Sequence, residues 1–166
     1  MRWTGCGRSS DVAVLEDLYR DVILRHYQAP ANRRKLPAPD AQSFTQNPLC
    51  GDEITVAASI EGGRLADAAF EARGCSISQA SADMMADLIK GKTIDAAVQL
   101  AAEFKQMMSG TDGEPSDELG DLVSLRAIRK YPVRIKCALL PWTTLLDALQ
   151  TYRTVSAERG PVGASE

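Results

Sequence analysis

Residues 54–75, ITVAASIEGGRLADAAFEARGC, decide the fold. Ile54, Val56, Ala58 and Ile60 alternate with Glu53, Thr55, Ala57 and Ser59, the period of a strand with one buried face. Glu61-Gly62-Gly63-Arg64 is a turn signal. The stretch after it reads as the returning strand, with Ala66, Ala68, Phe70 and Ala72 on one side. Such a hairpin brings the residues before its first strand beside those after its second. Cys50 and Cys75 occupy those two places.

Working outward, residues 11–27 place Val14, Leu15, Leu18, Tyr19 and Val22 at helical spacing, with Asp11 as N-cap. QAPANRRKLPAPD stops that helix with three prolines. A third strand is expected around 41–45. After Cys75, residues 76–91 read as a helix ending at Gly91, so Cys75 falls at a helix N-terminus, where the dipole favours a thiolate. Residues 93–108 form the next helix, between Thr93 and Gly110. An acidic loop and a short helix over LVSLRAI follow. Pro132 is read as a break. The last helix is expected to begin near 138–140, since Pro141 fits only a first turn. Cys137 then also marks a helix start. The order gives an α+β protein: a small antiparallel three-stranded sheet packed against several helices. We divide the chain into a leader, 1–10, one domain, 11–153, and a tail, 154–166.

At 166 residues, with 45% hydrophobic and 25% charged side chains, the chain can build a core without metal or disulfide staples. No apolar run reaches the roughly 18 residues of a spanning helix. The N-terminus has no secretory h-region, which points to the cytoplasm, where thiols stay reduced. Four cysteines there suggest metal or redox chemistry. A net charge of −3 argues against nucleic acid as the main partner. The lone histidine, His26, reads as structural or docking; Met84, Met85, Met107, Met108 and Trp142 read as core.

Zinc takes four ligands, and thiolate sulfur and carboxylate oxygen both serve. Cys50, Asp52, Cys75 and Cys137 could make a Cys₃Asp centre, with Gly51 and Gly74 letting the backbone bend. Three thiolates, a carboxylate and Zn²⁺ sum to −2, and Arg73, Arg134 and Lys136 lie beside the ligands in sequence. The spacings are too long for a zinc-finger pattern, so small buried cysteines remain the alternative at this point. Cys6 has no partner in its leader.

NPLCGDE, GCSIS and RIKC, in that order and with LYRDVILRHYQAPANR before them, resemble the IscU/SufU (NifU N-terminal-like) iron–sulfur cluster assembly family. The likeness runs from about Leu15 to Gln150 and implies the compact α+β fold of that family (SufE/IscU-like). The family's three Cys and one Asp map onto Cys50, Asp52, Cys75 and Cys137. Lys136, where IscU-type members have His, and the insertion DGEPSDELGDLVSLRAIRKYP favour the SufU-type branch. The resemblance implies a zinc-dependent sulfurtransferase that takes persulfide sulfur from a SufS-type cysteine desulfurase and serves downstream iron–sulfur assembly scaffold proteins. It implies that a desulfurase histidine displaces Cys50 from zinc, freeing the acceptor thiolate, and that Arg134 matches an arginine near the metal. The alternative is a scaffold, not catalytic in the strict sense, on which the same residues hold an Fe–S cluster. A structural zinc module is a third reading. No membrane partner is expected, and nothing demands more than a monomer.

Overall fold

Gly62 and Gly63 make the central turn. Their φ values of 59° and 78° are the positive pair that a two-residue hairpin turn needs. The computed structural model describes residues 19–48, 51–110 and 115–159. The first described element is helix α1, residues 19–28. Strands β1 (Ala41–Asn47), β2 (Asp52–Glu61) and β3 (Arg64–Arg73) form an antiparallel sheet in that order. Helices α2 (Ser76–Ile89) and α3 (Ile94–Ser109), a 3₁₀ segment (Asp117–Ile128) and helix α4 (Pro132–Arg159) follow. The expected α+β architecture and the strand before Cys50 are both present. The expected N-cap Asp11 and the expected helical residues 11–18 lie outside the described residues.

Helix α2 packs on β3, and α4 packs on β1 and β2. Ile54, Val56, Ala58, Ala68 and Phe70 face them across a core that includes Met84, Met85, Met107, Met108 and Trp142. Trp142 stacks on Phe104 with centroids 5.2 Å apart. Two assignments along the hairpin change. Ala66 is exposed and Leu65 is buried, because Ser59 pairs with Asp67 but Ile60 with Leu65. Ala66 is the extra residue of a β-bulge, which flips the strand's alternation. Ala57, expected on the open face, is buried with Ala69 under Leu36, so the segment after α1 covers part of that face.

The C-terminal half departs further. The residues Leu119, Leu122, Leu125 and Ile128 are all buried, one every third position. That spacing matches 3.0 residues per turn and explains a 3₁₀ segment where a short helix over 122–128 was expected. Gly120 breaks it into two pieces (φ 54°, ψ −127°). Helix α4 starts at Pro132, where a missing N–H costs nothing, and runs straight through Pro141. An interior proline costs about 3 kcal/mol. Burial of Leu140, Trp142, Leu145, Ala148 and Leu149, at about 1.5–3 kcal/mol per large side chain, outweighs it. Ser81 on α2 donates to the Ala138 carbonyl (2.7 Å) in the turn where the proline leaves the ladder short of a donor. Thr93 and Gly110 cap α3 as expected: Thr93 Oγ1 accepts from Ala96 N–H, and Gly110 turns left-handed at φ 82°.

His26 ties three elements together. Its Nδ1 lies 2.7 Å from Asp83 on α2, and its Nε2 lies 3.0 Å from Asp121 on the 3₁₀ segment. Arg25 also pairs with Asp121 (3.2 Å). The hydrogen bond with Asp83 raises the His26 pKa above its ordinary 6.5; burial opposes this and Asp121 adds to it. A raised pKa means the stabilisation is complete below about 6.5 and fades as the pH rises through the folded value. Melting temperatures of wild type and His26→Gln, followed from pH 5.5 to 8.5, should therefore differ most below about pH 6.5 and draw together as the pH rises beyond it. Parallel curves would remove His26 as the titrating latch.

Candidate metal centre

The β1–β2 connection and the β3–α2 corner lie at the same end of the sheet. Gly51 N–H donates to the Asn47 carbonyl (2.8 Å), and Gly51 takes φ 75°, closing the first turn just before Asp52. Glu53 pairs with Arg73, so Asp52 lies against Gly74 and Cys75. Cys75 is the N-cap residue of α2, as expected. Its N–H donates to Asp52 Oδ1 (2.8 Å), and its Sγ lies 3.2 Å from Asp52 Oδ2. Cys137 enters from α4, fully buried. It lies in the second turn of that helix rather than at its start, because the helix opens at Pro132.

One donor atom each from Asp52, Cys75 and Cys137 lies within 4.8 Å of the others. Tetrahedral zinc with sulfur and oxygen ligands holds its donors about 3.3–3.8 Å apart. Two sulfurs and one carboxylate oxygen at these separations fit such an ion after a small contraction. Asp52 is 1% exposed, Cys137 is 0% exposed and Cys75 is half-buried, so the cluster opens toward solvent on the Cys75 side. Cys50 and Cys6 lie outside the described residues. A second carboxylate–histidine group, His26, Asp83 and Asp87, also comes together. Both His26 ring nitrogens already face carboxylates there, which suits an imidazolium rather than a metal ligand.

Arg134 lies one turn before Cys137 on α4. It is exposed, as are Arg73 and Lys136. Among the described residues none of the three makes an ion pair or a side-chain hydrogen bond. They neighbour the ligands in sequence. Sequence reasoning missed the buried polar residues that brace it. Ser78 donates to the Cys75 carbonyl (3.2 Å), and Gln79 donates to the Gly74 carbonyl (3.1 Å). The available signal was a helix that buries Ser78, Gln79, Ser81 and Asp83 among its apolar residues.

Gly74 is required twice over. Its φ of +135° is disfavoured for other residues, and an added Cβ would stand 2.0 Å from Asp52 Oδ1 and 2.9 Å from Asp52 Cα. At Gly51 a Cβ would meet nothing within 4 Å. Gly51→Ala should cost only the left-handed backbone penalty of about 1–2 kcal/mol. Gly74→Ala should cost more and displace the Asp52 carboxylate. Denaturant unfolding together with zinc titration of both variants checks this ranking, and equal losses would contradict it.

The fold and donor set define an α+β domain that gathers thiols and a carboxylate at one end of its sheet. The NifU-like N terminal domain family matches residues 18–154, and the chain belongs to that family. It is 44% identical over 133 residues to the zinc-dependent sulfurtransferase SufU of Bacillus subtilis, covering 80% of this chain and 90% of that protein. It is 35% identical over 136 residues to the iron–sulfur cluster assembly scaffold protein IscU of Streptococcus pyogenes, covering 82% and 85%. The solved structure of a nitrogen-fixing NifU-like protein (N-terminal) from Brucella abortus superposes with a TM-score of 0.77 at 25% identity, covering 85% of this chain and 98% of that one.

Proposed function

We propose that this chain is a zinc-dependent sulfurtransferase for iron–sulfur cluster assembly. Cys50, Asp52, Cys75 and Cys137 hold the metal, and Cys50 accepts sulfur from a SufS-type cysteine desulfurase. The observation that carries this reading is the convergence of Asp52, Cys75 and Cys137 donor atoms within 4.8 Å. The likeness to a protein named a zinc-dependent sulfurtransferase supports it. Two peptide units hold the Cα of Cys50 within about 7 Å of that of Asp52, so the chain permits the fourth ligand.

Bound zinc would keep its cysteine ligands as thiolates near neutral pH. Asp52 opens β2, Cys75 is the N-cap of α2 and Cys137 lies within α4. Cys50 instead precedes Gly51, a left-handed glycine with open space around its α-carbon. In this reading Cys50 is the exchangeable ligand. Its thiolate attacks the terminal sulfur of the desulfurase persulfide. The S–S bond breaks, the desulfurase cysteine leaves as a thiolate, and Cys50 carries the sulfane sulfur as its own persulfide. In this reading Arg134, exposed one turn before Cys137, favours the anionic species formed at the site. A groove of about 390 Å³ lined by Ile23, Leu24, Ser76, Ile77 and Tyr131, among others, adjoins Cys75 and offers the partner a surface.

In this reading the protein works in the cytoplasm and passes sulfur on to scaffold proteins. Among the described residues no helix is long and apolar enough to cross a membrane. The scaffold alternative uses the same donors and draws on the likeness to proteins named IscU. Lys136 directly before Cys137 sets it second.

The test is alanine release by a SufS-type desulfurase, with and without the zinc-loaded protein. A saturable rise is expected, lost in Cys50→Ala. Asp52→Ala should weaken zinc binding. Full stimulation by Cys50→Ala would overturn the acceptor assignment. No stimulation by wild type would favour the scaffold, to be examined by anaerobic cluster reconstitution and transfer to an apo-protein.

A further inference from the structure

Gln79 spends its side chain on a carbonyl that helix α2 does not own. A helix start leaves N–H groups over, not carbonyls. Yet Gln79 Nε2 reaches back to the carbonyl of Gly74, outside the helix, at 3.1 Å. Arg33 Nη1 donates to Gln79 Oε1 at 2.6 Å, which fixes which end of the amide faces the carbonyl. Gln79 is itself 6% exposed. The peptide it grips is the one whose N–H, on Cys75, donates to Asp52 Oδ1 at 2.8 Å. That peptide follows a glycine at φ +135°, a conformation that persists only when its surroundings hold it.

We infer that Gln79, backed by Arg33, is a positioning residue of the metal centre. It holds the carbonyl end of the Gly74–Cys75 peptide, which keeps the N–H end aimed at Asp52 Oδ1. Asp52 Oδ2 then stays turned to the cysteine sulfurs, as its 3.2 Å approach to Cys75 Sγ shows. The clamp acts on two ligands at once: it orients Asp52 through a hydrogen bond and sets the backbone of Cys75. Capping does not account for it, because the carbonyl that Gln79 contacts precedes the helix and capping bonds go to the N–H groups of its first turn. The inference rests on the metal centre proposed above.

Gln79→Glu keeps the length and the Arg33 pair but has no proton for the Gly74 carbonyl. Arg33→Met changes an exposed residue and removes only the support behind Gln79. Zinc affinity of the full chain is measured by competition with a chromogenic chelator. The cobalt(II)-loaded forms are compared by their visible bands, which follow the donor set. Gln79→Glu should weaken zinc binding about ten-fold or more, within the range for residues that orient metal ligands, and Arg33→Met by a smaller factor. The cobalt bands of Gln79→Glu should move toward those of Asp52→Ala, a change that lost fold stability alone would not produce. If both variants bind zinc within about two-fold of wild type and keep its cobalt spectrum, the clamp is overturned. If Gln79→Glu fails to fold, Arg33→Met decides: weaker binding supports the clamp and unchanged binding overturns it. If Asp52→Ala and Cys75→Ala themselves bind zinc as wild type does, the metal centre falls and the clamp with it. Loss of metal in those two variants alone leaves the centre standing without the clamp.

Discussion

The hydrogen bond from Cys75 N–H to Asp52 Oδ1 is the contact on which the site end of the molecule depends. It joins the start of β2 to the corner where β3 becomes α2. Pairing of Glu53 with Arg73 brings residue 74 over the Asp52 carboxylate, and a side chain there would collide with it. The glycine therefore does two jobs with one missing methyl group: it adopts the positive φ and it opens room for the carboxylate. With that room, Asp52 is buried and still bonded. Without it, a buried carboxylate would lose its donor, the kind of loss that costs about 1–3 kcal/mol and more for a charged group.

Helix α2 carries the constraint into the rest of the fold. A helix that buries Ser78, Gln79, Ser81 and Asp83 is tolerable only if each polar group finds a partner. Ser78 finds its partner at the start of its own helix, on the Cys75 carbonyl, and the other three reach beyond the helix. Gln79 holds the Gly74 corner, and Ser81 holds the Ala138 carbonyl on α4, one residue past Cys137. Asp83 accepts from Asn32 N–H (2.9 Å) and pairs with His26 on α1. Asn32, itself fully buried, also bonds Asp87 (2.8 Å) and accepts from Lys90. These directional contacts fix the helix against rotation and sliding in a way that apolar packing alone does not. Cys75 at its start and Cys137 on the neighbouring helix are held in one frame as a result.

What could be read from the chain divides along physical lines. Period-2 alternation and paired glycines made the hairpin legible, and Thr93 and Gly110 bounded α3, because these signals are local. The bulge at Ala66 was not legible: it is a property of the pairing between Ser59–Ile60 and Leu65–Asp67, not of either strand. Pro141 misled because the local rule against interior proline is outweighed by core burial on both sides of it. The 3₁₀ segment was legible in principle, since Leu119, Leu122, Leu125 and Ile128 repeat every three residues, but short helical signals default to the α period. The donor set was readable as residue types, whereas the convergence of Cys137 with Asp52 needed α4 to start at Pro132. Gln79 and Arg33 carried no local signal, because their role exists only once the Gly74 corner, 5 and 41 residues away, is folded.

Charge sets the last constraint. Cys75 Sγ lies 3.2 Å from Asp52 Oδ2, so the two donors already face each other. Thiols bind metal as thiolates, which ties metal binding at such a cluster to pH. The proposed full set carries a net −2 with Zn²⁺ bound, and the nearby cations Arg73, Arg134 and Lys136 are exposed. Water and salt screen exposed charges over about a Debye length, so these cations contribute little to holding the fold. In the proposed reaction these cations would act on the approaching anionic persulfide rather than on the fold, while buried hydrogen bonds shape the ligands.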